Sequence, residues 1–130
     1  MFKTILFPID FNRETQKAIG IVANLVTTYN SKLIVLSVVE SKPEGKMNSE
    51  TQVERLLAEA KDFFATRGID AKTIERQGLP AFTICDVADE INADLIIMGC
   101  RGLGLIEETA DNSVTNQTIN LSPCPVLVVT

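Results

Sequence analysis

Short apolar runs without polar alternation constrain the fold of this chain more than any other feature of its sequence. Strands that are apolar on both faces are typical of a parallel sheet covered by helices on each side. The runs are KTILFPI at Lys3–Ile9, LIVLSVV at Leu33–Val39, LIIM at Leu95–Met98 and VLVV at Val126–Val129. A fifth, more polar run at Ala71–Gln77 suits a strand near the edge of such a sheet. The sequence therefore predicts a sheet of five strands.

Between these runs, apolar residues recur with the period of an α-helix. The helical stripes cover Ala18–Tyr29, Val53–Phe64, Ala81–Ile91 and, less regularly, Ser113–Leu121. Strands and helices thus alternate along the chain, whose 130 residues are the length of one ordinary domain. This order predicts a single α/β domain over residues 1–130. Right-handed crossovers would make it a three-layer sandwich with helices on both faces of a parallel sheet.

Charge and residue counts exclude several classes of protein. The formal net charge is −5, from 12 basic and 17 acidic residues, so the field of the whole molecule repels nucleic acid and anionic membranes. The chain has no histidine, which excludes Ser-His and Cys-His nucleophile pairs and imidazole metal sites. Its three cysteines form no Cys-x-x-Cys pair, and its first apolar run is too short for a signal peptide. We expect a cytoplasmic protein with reduced thiols and no metal site, whose partners include neither nucleic acid nor membrane.

Ligands of open parallel sheets bind beyond the carboxyl ends of the strands, so the residues that follow each strand are the candidate site residues. Asp10 follows the first run and precedes the first helix. Its carboxylate has two interpretations. It could accept hydrogen bonds from a ribose or a base amine, or it could be a side chain that the dipole at a helix start stabilises. The residue alone does not decide between them.

Gly99 and Gly102 follow the fourth run and form a second candidate. Glycines where a strand turns toward a helix let backbone N–H groups approach a phosphate closely, and a helix start favours the anion. Ser113 offers a hydroxyl at the start of the last helix. The alternative is that these glycines, with Gly104, only connect the strand to the helix.

Three segments of the chain carry a family resemblance: KTILFPIDFN at the start, LIIMGCRGLG after the fourth run and SPCPVLVV at the end. They are similar to the corresponding segments of universal stress proteins, and the likeness runs along essentially the whole chain. Nucleotide-binding members of that family carry the motif Gly-x2-Gly-x9-Gly-Ser/Thr. Gly99 and Gly102 match its first two glycines, Ser113 matches its last position, and Val114 matches the apolar residue that usually follows. Asn112 stands where the family has its third glycine.

The resemblance implies a Rossmann-like sheet with strand order 3-2-1-4-5 and a cleft between the first and fourth strands. In ATP-binding relatives the adenine lies against residues that match Pro8, Ile9 and Val38. The ribose lies near those that match Asp10 and Gly99, and the phosphates lie over the loop that follows. The implied ligand is ATP, ADP or AMP, with or without Mg²⁺. The implied binding residues are Pro8, Ile9, Asp10, Val38, Met98, Gly99, Arg101, Gly102, Asn112, Ser113 and Val114.

The phosphate loop departs from the family pattern in two ways that oppose terminal phosphates. Asn tolerates the turn conformations of glycine better than most residues do, but its side chain crowds a close approach to phosphate. Glu107, Glu108 and Asp111 add negative charge, of which Arg101 offsets one unit at most. A Mg²⁺ ion that bridged the carboxylates and the phosphates would reverse this effect. We expect weakened or altered binding of triphosphates.

The sequence therefore predicts a regulatory stress-response protein that retains an adenine-nucleotide cleft. The alternative is a nucleotide-free dimeric interaction scaffold of the same fold. An enzyme ranks last, because the loop has no lysine; it would be a slow ATPase, an autophosphorylating protein or a thiol enzyme using Cys100. The resemblance also implies a homodimer formed through the last strand, residues 126–130. The uncharged apolar sequence of that strand suits pairing with a second copy.

Overall fold

The computed structural model describes residues 1–10, 13–39, 50–99 and 114–130, in which strands and helices alternate as the sequence predicts. The elements are β1 (Thr4–Pro8), α1 (Arg13–Tyr29), β2 (Lys32–Val39), α2 (Glu50–Ala65), β3 (Lys72–Gln77), α3 (Pro80–Glu90), β4 (Leu95–Gly99), α4 (Val114–Leu121) and β5 (Val126–Val129). The first four strands differ from their predicted runs by one residue at one or both ends, and β5 coincides with its run. Within the described ranges, no helix is long and apolar enough to cross a membrane.

The five strands form one parallel sheet in the order β3-β2-β1-β4-β5, which confirms the predicted fold class and strand order. From β1 the chain adds β2 and then β3 on one side, and then crosses back to add β4 and β5 on the other. The strand order therefore reverses between β1 and β4. Their carboxyl ends form the topological switch point of the sheet, where ligands of open α/β sheets bind.

Helices cover both faces of the sheet. The face under α1 and α2 holds a buried cluster that includes Phe7 and Phe64, and the face under α3 holds a second one that includes Leu36 and Val87. α4 packs beside α3. Every residue of β2 from Leu33 to Val39 is buried, and the apolar ones alternate between the two clusters. This two-sided burial is why that run shows no polar alternation.

α4 forms where the sequence predicts its least regular helix. The spacing of Val114, Thr118 and Leu121 predicts that they share one face of it, but they are not equally buried. Thr118 is fully buried, but Val114 and Leu121 are 36% and 47% exposed. The helix has only eight residues and packs chiefly against α3, so its two ends stay uncovered. The buried Thr118 hydroxyl finds its partner within the helix by donating to the Val114 carbonyl oxygen at 2.7 Å.

The amino ends of β1 and β4 are tied together by two hydrogen bonds. The Thr4 N–H donates to Asp94 Oδ2 at 2.9 Å, and the Asp94 N–H donates to the Thr4 carbonyl oxygen at 2.8 Å. These bonds lie at the end of the sheet opposite to the switch point. They fix the register of the two strands that flank it.

Candidate functional site at the switch point

The pairing of β1 with β4 covers less of β1 than the pairing with β2. Within the described residues, the β1–β4 pairs end at Leu6 with Ile96. The β1–β2 pairs continue to Pro8, and the Ile9 N–H extends that ladder by donating to the Leu36 carbonyl oxygen at 2.8 Å. Pro8 has no N–H with which to bond β4. The hydrogen-bonded pairing of β1 with β4 therefore stops before the carboxyl ends of the two strands, and we call this end of the strand pair the opening.

Apolar side chains flank this opening on the side of the sheet that α3 covers. Val38 of β2 and Met98 of β4 belong to the cluster on that face and are 8% and 5% exposed. The half-buried Pro8 shares the face, because it is two residues beyond Leu6 of the same cluster. Ile9 is buried in the cluster under α1 and α2 instead, and only a small part of it reaches the surface. The predicted adenine contacts thus lie on both faces of the sheet.

Asp10 lies at the carboxyl edge of the sheet, directly after the last bond of the β1–β2 ladder. It is half-buried and falls between the end of β1 and the start of α1 at Arg13. Gly99 ends β4 on the other side of the opening, where it is half-buried and pairs with Val129 of β5. The position of Asp10 suits both of its interpretations. Its carboxylate could contact a ligand at the switch point, or it could stabilise the start of the helix that follows.

Ser37 is a residue at this site that the sequence analysis did not select. It is fully buried in β2, and its hydroxyl donates to the Ile9 carbonyl oxygen at 3.2 Å. That carbonyl belongs to the peptide group that joins Ile9 to Asp10. The signal was present in the sequence, because Ser37 is the single polar residue of the run LIVLSVV. A buried polar side chain requires a partner, and here the partner is the backbone next to the candidate carboxylate.

The phosphate half of the predicted site lies largely outside the described residues. Arg101, Gly102, Asn112 and Ser113 fall in the range that the structure does not describe, as does Cys100. Val114, the last residue of the predicted set, begins α4. The predicted residues at or beside the opening are Pro8, Ile9, Asp10, Val38, Met98 and Gly99.

Burial favours the protonated thiol at both described cysteines, and the described residues offer no metal site. Burial, followed by the negative charge of Asp86, raises the pKa of the Cys85 thiol. Burial also raises the pKa of Cys124, against the opposing effect of a hydrogen bond from the Ser122 hydroxyl. Both thiols therefore stay protonated at neutral pH, and a protonated thiol is a poor nucleophile and metal ligand. Among the residues described, no group of three or more His, Cys, Asp or Glu could hold a metal ion.

A parallel sheet of this order defines a Rossmann-like α/β protein, and ligands of such sheets bind at the carboxyl ends of the strands. The whole chain, residues 1–130, matches the universal stress protein family. A universal stress protein of Synechocystis sp. is 58% identical over 135 aligned residues, which cover 99% of this chain and 86% of that protein. The chain belongs to the universal stress protein family, as its motifs predict.

Solved structures of the family share the fold along the whole chain. The universal stress protein UspA from Lactobacillus plantarum superposes with a TM-score of 0.84 and 25% identity, covering 99% of this chain and 98% of that one. A universal stress protein in complex with cAMP gives a TM-score of 0.81 at 23% identity, covering 99% and 97%. The universal stress protein from Archaeoglobus fulgidus in complex with dAMP gives 0.77 at 18%, covering 99% and 98%. At the identities of the last two, the likeness concerns the fold.

Proposed function

We propose that this protein is a stress-response regulator that binds an adenine nucleotide at the opening between β1 and β4. The observation that carries the proposal is the early end of the β1–β4 pairing, at Leu6 and Ile96. Beyond that pair, the described ladder no longer joins the two strands, at the point where the strand order reverses and where ligands of open α/β sheets bind. No enzymatic activity is proposed, and the cytoplasm is the proposed location.

The residues around the opening suit the base and the sugar of a nucleoside. Pro8, Val38 and Met98 provide apolar surface on one face of the sheet, against which a purine can pack. Asp10 provides a carboxylate at the edge, and a carboxylate accepts hydrogen bonds from ribose hydroxyls. The complexes of two fold neighbours with cAMP and dAMP support adenine as the base.

The phosphate preference follows from the sequence of the loop. Glu107, Glu108 and Asp111 lie between the second motif glycine and Asn112. Two like charges about 6 Å apart repel by roughly 3 kcal/mol at an effective dielectric constant near 20, and solvent exposure reduces that repulsion. Each additional phosphate charge therefore adds a penalty that a basic loop would not impose. We propose that the monophosphate and the diphosphate bind at least as well as the triphosphate when no metal is present.

Calorimetric titration with ATP, ADP and AMP, with Mg²⁺ and with EDTA, tests this proposal. Mass spectrometry of the natively purified protein would identify any nucleotide that it carries. We expect AMP and ADP to bind in EDTA with affinities comparable to that of ATP. A preference for ATP of about tenfold or more in EDTA, equivalent to about 1.4 kcal/mol, contradicts the electrostatic argument. Failure of all three nucleotides to bind would favour the nucleotide-free scaffold.

A charge-reversed variant isolates the effect of the loop. Asn112→Gly combined with Glu107→Lys and Glu108→Lys should raise the affinity for ATP and change that for AMP much less. The matched control is Glu54→Lys with Glu59→Lys, which makes the same charge change on the exposed face of α2. A similar gain for ATP in the control would mean that net charge, and not the loop, sets the preference.

We also propose that the protein is a homodimer paired through β5, because β5 is an edge strand of the sheet. Unpaired backbone groups along such an edge favour addition of another strand. Leu127 of β5 and Leu121 of α4 are 38% and 47% exposed, which adds apolar surface beside that edge. An isologous two-fold contact would cover the β5 edge of both copies at once.

A further inference from the structure

Ile9, the residue that precedes Asp10, is held by β2 through both of its backbone polar groups. The Ile9 N–H donates to the Leu36 carbonyl oxygen at 2.8 Å, and the Ile9 carbonyl oxygen accepts from the Ser37 hydroxyl at 3.2 Å. Both contacts come from neighbouring residues of one buried strand. The backbone of Ile9 is therefore restrained by two hydrogen bonds at the point where the chain leaves the sheet.

A buried serine at this position lowers the stability of the fold unless its hydroxyl makes a hydrogen bond. Ser37 is 0% exposed and alternates with Val35 and Val39, which both belong to the cluster under α1 and α2. An apolar side chain would fit that environment without the cost of removing a hydroxyl from water. Among the described residues, Ser37 and Thr118 are the buried polar ones, and Thr118 bonds within its own helix. Ser37 instead bonds Ile9, the residue that follows β1 at the edge of the candidate site.

We infer that Ser37 is a positioning residue for nucleotide binding, an inference that rests on the proposed function. Its hydroxyl fixes the plane of the Ile9–Asp10 peptide, and that plane sets the direction in which the Asp10 side chain leaves the backbone. Without the hydroxyl, the peptide gains freedom to rotate, and Asp10 loses part of its preorganisation toward the ribose. Preorganised contacts bind more tightly because less conformational freedom is lost when the ligand arrives.

The test compares the affinity for AMP with that for 2′,3′-dideoxy-AMP, which lacks both ribose hydroxyls. The ratio of these two affinities, measured in the wild-type protein and in Asp10→Ala, gives the size of the preference for a ligand with ribose hydroxyls. Ser37→Ala should lower the affinity for AMP by about tenfold, the effect expected of one well-placed hydrogen bond. The affinity for dideoxy-AMP should stay nearly unchanged. Ser37→Thr, which keeps a hydroxyl, should restore most of the preference. The double variant Asp10→Ala with Ser37→Ala should lose no more affinity for AMP than Asp10→Ala alone, because the two residues act through one contact.

The control is Ser31→Ala. The Ser31 hydroxyl donates to the Phe2 carbonyl oxygen, so it makes the same kind of contact at the opposite end of the same two strands. Loss of that contact should lower the thermal midpoint without changing the ratio of the two affinities. A purely structural role for Ser37 would give the same pattern as the control.

The outcomes separate the two proposals. If wild-type protein binds neither AMP nor dideoxy-AMP, the proposed function and this inference both fail. If wild type prefers AMP and Ser37→Ala keeps that preference, or weakens both ligands equally, only the positioning role of Ser37 is overturned. Should Ser37→Ala fail to fold, Ser37→Cys gives the same test, because it keeps the shape of the side chain and replaces the hydroxyl by a weak donor.

Discussion

At the scale of single residues, the candidate site depends on one carboxylate and on the backbone behind it. Asp10 is the described residue of the predicted set that can carry a full negative charge at the opening. Ser37 holds the carbonyl of the preceding residue. One residue would contact the ligand and the other would act through the backbone, so their substitutions should differ in what they change.

Asp10→Ala should lower the affinities for ATP, ADP and AMP by a similar factor, because all three share the ribose that the carboxylate would hold. A hydrogen bond to a charged group contributes about 1.5–3 kcal/mol, so the loss should be tenfold or more. The thermal midpoint should change little, because Asp10 is only half-buried. Calorimetry and thermal unfolding measure the two effects separately. A large loss of stability with unchanged affinity would identify Asp10 as a carboxylate that serves the helix start.

At the scale of elements, hydrogen bonds join β1 and β4 at their amino ends, and the pairing stops before their carboxyl ends. The Asp94 contacts with Thr4 close the amino end, and the pairing ends after Leu6 and Ile96. β1 is joined to β2 along its whole length. The opening is thus a property of one strand pair, and the bonds at its amino end keep that pair aligned.

Asp94→Ala should destabilise the fold by about 1–3 kcal/mol, because it removes the carboxylate that accepts the Thr4 N–H in a half-buried position. Asp94→Asn keeps an acceptor oxygen and should lose less. Urea unfolding followed by circular dichroism measures both free energies of unfolding. Equal stability of Asp94→Ala and wild type would show that this tie contributes nothing to joining the strands.

At the scale of the whole molecule, assembly depends on which backbone groups of β5 face outward. The Ile96 N–H donates to the Pro125 carbonyl oxygen at 3.0 Å, and Ile96 pairs with Val126. In a parallel ladder, bonds to one neighbour come from alternate residues. Residues 125, 127 and 129 therefore direct their backbone groups toward β4. The N–H groups of Val126 and Val128 point to the free edge.

Val128→Pro should shift the protein from dimer to monomer, because it removes an outward N–H while sparing the residues that bond β4. Proline is tolerated on edge strands, so the monomer should remain folded. Val128→Thr is the matched control: it keeps the N–H and a β-branched shape, and should stay dimeric. Light scattering at micromolar concentration measures the mass of each variant. A monomeric wild type, or an unchanged dimer in Val128→Pro, contradicts the proposed interface.

Much of the fold could be predicted from the sequence, because a strand such as β2 that is buried on both faces has apolar residues at successive positions. The run LIVLSVV has no polar alternation, and the more polar KTIERQ lies at the sheet edge as β3. α4 was harder to predict, since eight residues cover barely two turns. Its inward face depends on where α3 lies, and periodicity over so short a segment does not report that.

The sequence by itself determined the strands, the crossover helices and the family, because these depend on local periodicity and on motif residues that stand in order along the chain. Only the tertiary structure decided that the pairing of β1 and β4 stops at Leu6 and Ile96 and that Ser37 reaches the Ile9 carbonyl. It also decided that Ile9 is buried on the face opposite to Val38. These features arise between residues far apart in the chain. Hydrogen bonding and packing across strands create them, and no periodicity within one segment records such contacts.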